Sequence, residues 1–195
     1  MTAQAATLDV SIHRDGATIN GLPLGTSGPA SQFHAVFGTP DRIIDGSPTP
    51  APVGHRNNQF HYYDAHGVTL NEHHYTHQIQ AINFVFDTDL SDHPTKHAFH
   101  GEMNIGGLQI VIGTLERELS NADLKLTARL PGTWFTTIPS LMDGQTITVA
   151  VSTQGPELKS GRRSKTKIIT SVSVCLPHDP WDTTHIPKTS SRTKR

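Results

Sequence analysis

INGLPLGT at residues 19–26 returns, little changed, as IGGLQIVIGT at 105–114. Each copy sets a Gly-containing turn between two short apolar segments and ends in Gly-Thr ahead of a predicted short helix. Self-similarity of this kind is the mark of a chain built twice from one unit, so the reading works outward from both copies.

Upstream of the first copy, Leu8, Val10 and Ile12 alternate with polar residues, Asp15-Gly16 makes a turn, and Ala17-Thr18-Ile19 returns. Downstream, Pro29 predicts a helix start because its fixed φ and missing N–H suit the first turn. Phe33, Val36 and Phe37 sit at helical spacing, and Gly38 with Pro40 ends the helix. Residues 46–58 are rich in proline and small polar residues and read as a loop. Strands are predicted at 59–64 and 68–72 about an Ala65-His66-Gly67 turn, then at 78–87. In that last strand Ile82, Phe84 and Phe86 share one face and Val85 takes the other; it is the most apolar and is expected to be central. Residues 88–97 form a polar loop, and a β pattern resumes at Phe99.

The second copy continues alike. Thr114 is the expected N-cap of a short helix, with Glu116 and Glu118 in the first turn where negative charge suits the helix dipole. Strands follow at 134–138, 146–152 and 166–176. The expected fold class is α+β: antiparallel sheet(s) with two short helices, arranged as two similar β-hairpin–helix–β-meander halves. The halves are 7–97 and 98–177, and 178–195, with two prolines and no periodicity, reads as a basic, flexible tail.

Composition fits this picture. The 195 residues are 34% hydrophobic and 17% charged, above the range of disordered chains and enough for a real core. No run approaches the roughly 18 apolar residues of a membrane span. The start, MTAQAATLDVSIHRDG, has neither a basic nor an apolar signal region, and a cytoplasmic location is expected. One cysteine excludes an internal disulfide framework and any CxxC site. The net charge of −1 conceals a division: residues 1–158 carry 7 Lys/Arg against 15 Asp/Glu, and residues 159–195 carry 9 against 2. Such polarity suits steering of a partner or simply a solvated basic end.

Histidine is the abundant reactive type: nine of thirteen lie between 55 and 100. Alternation places His61 with Tyr63, and His73 with Tyr75 and His77, on single faces. Were those faces to meet, two imidazoles with Glu72 or Asp64 would make a zinc-like site. His93, His97 and His100 have helical metal spacing, but Pro94 puts them in a loop. No HExxH, GxSxG, GxGxxG or GxxxxGK is present, and Cys175 lies in an apolar strand where a thiol packs. Neither a metal, a cofactor nor a catalytic residue is assigned. Lys159, Arg162, Arg163, Lys165 and Lys167 surround SGRRSK, read as a hairpin turn; without interleaved aromatics, an acidic protein partner explains them as well as phosphate does.

ATINGLPLGTSGPASQFHAVFGTPDRIID (17–45) resembles the opening of small bacterial domains found beside polymorphic and type VI secreted toxins. There a hairpin ends in Leu-Gly, a short helix follows, and the chain leaves through FG-x-PDR. HYYDAHGVTLNE (61–72), INFVFD (82–87) and FHGEMNIGGLQIVIGT (99–114) continue the likeness, which covers residues 8–152. The Leu-Gly–helix–FGxPD part is also similar to the folds of small outer-membrane assembly lipoproteins, whose signal sequence and lipid-bearing cysteine are outside the likeness. The resemblance implies a non-enzymatic immunity protein that binds and neutralises a cognate secreted toxin, and it carries over no catalytic residues.

On that expectation the contact residues are exposed aromatics, histidines and acids of the 59–77 hairpin: His61, Tyr63, Asp64, His66, Glu72, His73, Tyr75 and His77. The acidic loop comes second, with Asp87, Asp89 and Asp92. The alternative is a histidine-site metal-binding protein or hydrolase. A scaffold or nucleic-acid module using 159–195 is the minority reading. No membrane partner is expected, and the oligomeric state stays open.

Overall fold

A computed structural model describes residues 7–25, 28–46, 58–73, 76–90, 94–142, 144–156, 158 and 163–177. The expected 178–195 tail, most of the 46–58 loop and Lys159 and Arg162 lie outside the described residues.

The opening alternation becomes β1 (Asp9–His13) and β2 (Gly16–Ile19), with Val10, Ile12, Ala17 and Ile19 buried. At the repeated INGL and IGGL the backbone repeats as well. Asn20 and Gly21 have φ of 50° and 76° between β2 and β3 (Leu22–Pro23); Gly106 and Gly107 have 55° and 83° between β8 (Glu102–Ile105) and β9 (Leu108–Ile110). Two successive left-handed residues match the twist of a tight hairpin, and Asn and Gly adopt that conformation at least cost.

Helix α1 spans Ser31–Phe37, buries Phe33 and Phe37, and stops at Gly38, φ 79°, whose N–H donates to the His34 carbonyl. Four strands follow: β4 (Arg42–Asp45), β5 (Asn58–Tyr63), β6 (Val68–His73) and β7 (Ile79–Val85). The second series is a 3₁₀ helix (Glu116–Asn121), then β10 (Thr127–Leu130), β11 (Thr133–Pro139), β12 (Thr146–Gln154) and β13 (Ile168–Cys175). Two details correct the sequence reading. The residue preceding the 3₁₀ helix is Leu115, because Thr114 uses its hydroxyl to close the 111–114 turn with Val111. Strand pairing resumes at Glu102, and Phe99 instead packs edge-on to Phe84 and Phe86, 5.2 and 5.5 Å between ring centres.

Among the described residues the strands form two sheets. The smaller runs β3-β2-β1-β8-β9, with β1 antiparallel to β2 and parallel to β8. The larger runs β10-β11-β12-β13-β7-β6-β5-β4, antiparallel throughout, with β7 well inside it as expected. The segments 7–97 and 98–177 are therefore joined in both sheets. Two isolated bridges add to the ladders: Pro29 pairs with Gln78 and Leu115 with Ile168. Likewise Ile79 N–H reaches the Gly28 carbonyl and Ile169 N–H the Thr114 carbonyl, each at 2.8 Å.

The inner faces share one core. Val10, Ile12, Ile19, Met103, Ile105 and Ile110 from the small sheet join Val68, Leu70, Ile82, Phe84, Val149, Val151, Val172 and Val174 from the large one. Each such side chain stabilises the fold by about 1.5–3 kcal/mol through loss of apolar surface to water. On the outer face of the large sheet the register aligns Arg42, Tyr62, Thr69, Asn83, Ser173, Ala150, Phe135 and Thr127 in one row across all eight strands. No helix among the described residues is long and apolar enough to cross a membrane.

Candidate functional site

The histidine-rich hairpin folds as predicted, but its inner side is covered. His61 and Tyr63 do share a face, and their register partners Leu70 and Val68 show it to be the core face. Glu72 points the same way. His61, Tyr63, Asp64 and Glu72 are all buried, so the expectation that they form an exposed contact surface is corrected. The cause is α1: its Phe37 ring lies 5.2 Å from that of Tyr63, and the Tyr63 hydroxyl has no hydrogen-bond partner among the described residues. Burial pushes that phenol up to about 12.

Structure does bring three of the expected residues together. Glu72 Oε2 lies 2.7 Å from His61 Nε2, and Glu72 Oε1 lies 2.7 Å from His77 Nδ1. His77 reaches back because its own backbone is left-handed, φ 52°, and its N–H donates to the His73 carbonyl. Burial depresses the His61 pKa and Glu72 opposes that only in part, which leaves the imidazole biased toward its neutral form. His77 is largely exposed, with 68% of its side chain accessible. The contacts of 2.7 Å are hydrogen-bond spacings, shorter than the roughly 3.3 Å between two ligands on one zinc. Among the described residues no group of three His, Cys, Asp or Glu side chains is arranged to hold a metal ion.

Asp64 serves a different end. Arg42 Nε and Nη2 donate to its two oxygens at 3.0 and 3.1 Å, and the Lys96 backbone N–H adds a third bond at 2.9 Å. Arg42 also donates to the Pro94 carbonyl and lies 3.7 Å over the Tyr62 ring. The Arg42 hydrogen bonds hold the Asp64 carboxyl below its usual range, against the effect of burial. This is a clamp joining the edge strand β4 to the 94–96 loop.

His66, half-buried in the β5–β6 turn, stands 6.5 Å from the Phe37 ring, and burial lowers its pKa. His73 Nδ1 is 3.2 Å from the Thr76 hydroxyl. Asp87 accepts from the N–H groups of Asp89 and Leu90, shaping the loop, and Asp89 is exposed. Tyr75 and Asp92 lie outside the described residues, as do His55, His74 and His93. His97 and His100 are exposed in the loop that Pro94 predicted.

The more accessible constellation was not singled out from the sequence. On β11 the Trp134 indole N–H donates to Glu116 Oε1 at 2.8 Å, and Lys167 Nζ reaches the same oxygen at 3.4 Å. Burial raises the Glu116 pKa, but the bonds from Trp134, Lys167 and Thr153 outweigh it and leave the carboxyl below its ordinary value. The short 3₁₀ helix covers this ring incompletely. A groove of about 520 Å³ remains, floored by Leu119, Leu124, Leu126 and Trp134 and rimmed by Arg117 and Lys125. Across β10 lies a second hollow of about 400 Å³, where Lys125, Thr127 and Arg129 face Phe135, Thr137 and Thr148. Trp134 pairs with Glu116 from 18 residues away, and no local spacing announces it.

No curated protein and no solved structure matches the chain. Residues 9–119, from β1 through most of the 3₁₀ helix, match the family described as a domain of unknown function (DUF7738), and the chain belongs to that family.

Proposed function

We propose that the protein is a non-enzymatic binding module of the immunity type, which holds a cognate secreted toxin in the cytoplasm and blocks it. The observation that carries this is how the reactive groups are spent. His61 and Glu72 are buried against each other, and Asp64 is consumed by Arg42 and Lys96. What the surface offers instead is contact chemistry: a half-buried tryptophan, an apolar groove and cations with no ion-pair partner among the described residues. Aromatic and arginine side chains with a polar rim are the usual anchors of protein interfaces. The likeness of 17–45, 61–72, 82–87 and 99–114 to domains beside secreted toxins supports the same reading.

We also propose that the body is a duplicated unit in which β2 through β7 correspond to β8 through β13. Four features support it: the two left-handed hairpin turns, the paired bridges Pro29–Gln78 and Leu115–Ile168, the matching bonds into Gly28 and Thr114, and two meanders meeting at β7 and β13. In each unit a ring N–H on the strand second from the sheet edge faces a carboxylate, His61 with Glu72 and Trp134 with Glu116.

Co-expression with the secreted protein encoded by the neighbouring reading frame tests the function. Survival of the host and co-elution of the two chains are expected. Toxicity that persists, with no complex on sizing, overturns the proposal.

A further inference from the structure

We infer that β10 is a docking strand for an extended partner segment in which apolar and acidic residues alternate. The occupant rests on the protein-binding reading above. Among the described residues β10 ends the large sheet, and all four of its residues are exposed. An unpaired edge offers backbone N–H and C=O groups to an added strand, and the side chains of that strand then fall alternately on the two sheet faces. The two faces beside β10 differ. On the inner side is the groove over Leu126 and Trp134; on the outer side Lys125 and Arg129 flank Phe135. Lys125 lines both hollows, so they form one continuous surface around the strand. A period-two segment sets its apolar residues over Trp134 and its carboxylates against Lys125 and Arg129.

Charge separates this occupant from its rivals. A second copy docked through its own β10 would set Lys125 and Arg129 against the same cations, which is destabilising for cross-strand neighbours. The opposite edge, β4, carries exposed Asp45 and follows exposed Asp41, so its acids would repel the same segment.

The test uses the full chain with Trp181→Phe, so that indole emission reports Trp134 alone. The probes are a capped decapeptide of alternating Leu and Asp, its Leu-Lys counterpart and a decamer of uridylate. The Leu-Asp peptide should shift the emission saturably and bind less tightly as salt is raised. The double variant Lys125→Glu, Arg129→Glu, if its urea midpoint is unchanged, should weaken binding by about tenfold or more. Equal binding of the Leu-Lys peptide, tighter binding of the uridylate, or a dimer that excludes the peptide overturns the assignment. A double variant that unfolds is replaced by Leu126→Asp, which must abolish the emission shift. Co-expression separates the two claims. If the parent chain protects and the double variant protects equally, β10 docking falls and the immunity reading stands; if the parent fails while the peptide binds, the reverse holds.

Discussion

Asn83 and Ser173 meet across the pairing of β7 with β13, where the first meander joins the second: Ser173 Oγ donates to Asn83 Oδ1 at 2.7 Å. Asn83 Nδ2 then donates to the hydroxyl of Thr69, which is fully buried, at 3.1 Å. One amide thus satisfies two hydroxyls on three adjacent strands. Asn83→Ala takes a partner from each, and at Thr69, which is buried, an unsatisfied hydroxyl costs about 1–3 kcal/mol. Urea unfolding should show a loss of about 2 kcal/mol, and an unchanged midpoint would mean that water replaces the amide without penalty.

The clamp between Arg42 and Asp64 should matter more. Asp64 is 4% exposed, and Arg42→Met leaves its carboxylate buried without its bidentate partner while keeping some cover over Tyr62. Breaking a buried pair from one side costs about 3–5 kcal/mol; solvent access to Arg42 puts the expectation near the lower end. Because the folded Asp64 pKa lies below its ordinary 3.8, its stabilisation is present above that pH and lost as the pH falls below it. Acid titration of the parent should show that loss and the variant should not. Limited proteolysis should also cut the variant faster between Pro94 and Lys96, which the clamp ties down.

Much of this architecture was legible because its signals are local. The Asn-Gly and Gly-Gly turns demand left-handed residues, and both hairpins form there; the alternation in TITVAVS puts Ile147, Val149 and Val151 in the core. Strands β4 and β10 escaped notice because RIID and TARL are short and mostly exposed, with no buried stripe to read. The hairpin histidines mark the limit of alternation. Period two says that His61 and Tyr63 share a face, but which face is covered depends on α1, which is distant in sequence. The groove at Trp134 was hidden for the same reason: it depends on how little a six-residue 3₁₀ helix covers.

Buried imidazoles predict how stability varies near neutrality. The folded pKa of His61 lies below its ordinary 6.5, mainly through burial, so the unfolded chain takes up the proton first. Stability from this group is therefore complete above pH 6.5 and is lost as the pH falls below it. His66 is shifted the same way and adds to the slope. His61→Gln retains a donor toward Glu72 without titrating, so urea midpoints between pH 7 and about 5 should fall less than in the parent. Parallel pH profiles would show that His61 titrates alike in folded and unfolded chains.

Tyr63 supplies a test with the opposite sign. Its ring is needed, packed 5.2 Å from Phe37 and 1% exposed, but its hydroxyl finds no partner among the described residues. That hydroxyl sheds its hydration on folding and forms no protein hydrogen bond in return. Burial above all, with the nearby Glu72 adding to it, pushes the phenol up to about 12 and favours its protonated form. Tyr63→Phe keeps the ring and removes only the orphaned oxygen. Stability should stay level or rise by about 1 kcal/mol, where most buried substitutions lower it. A fall of more than that would place a bound water on the hydroxyl, and the His61–Glu72 contact beside it would then be the first place to look for the water's second partner.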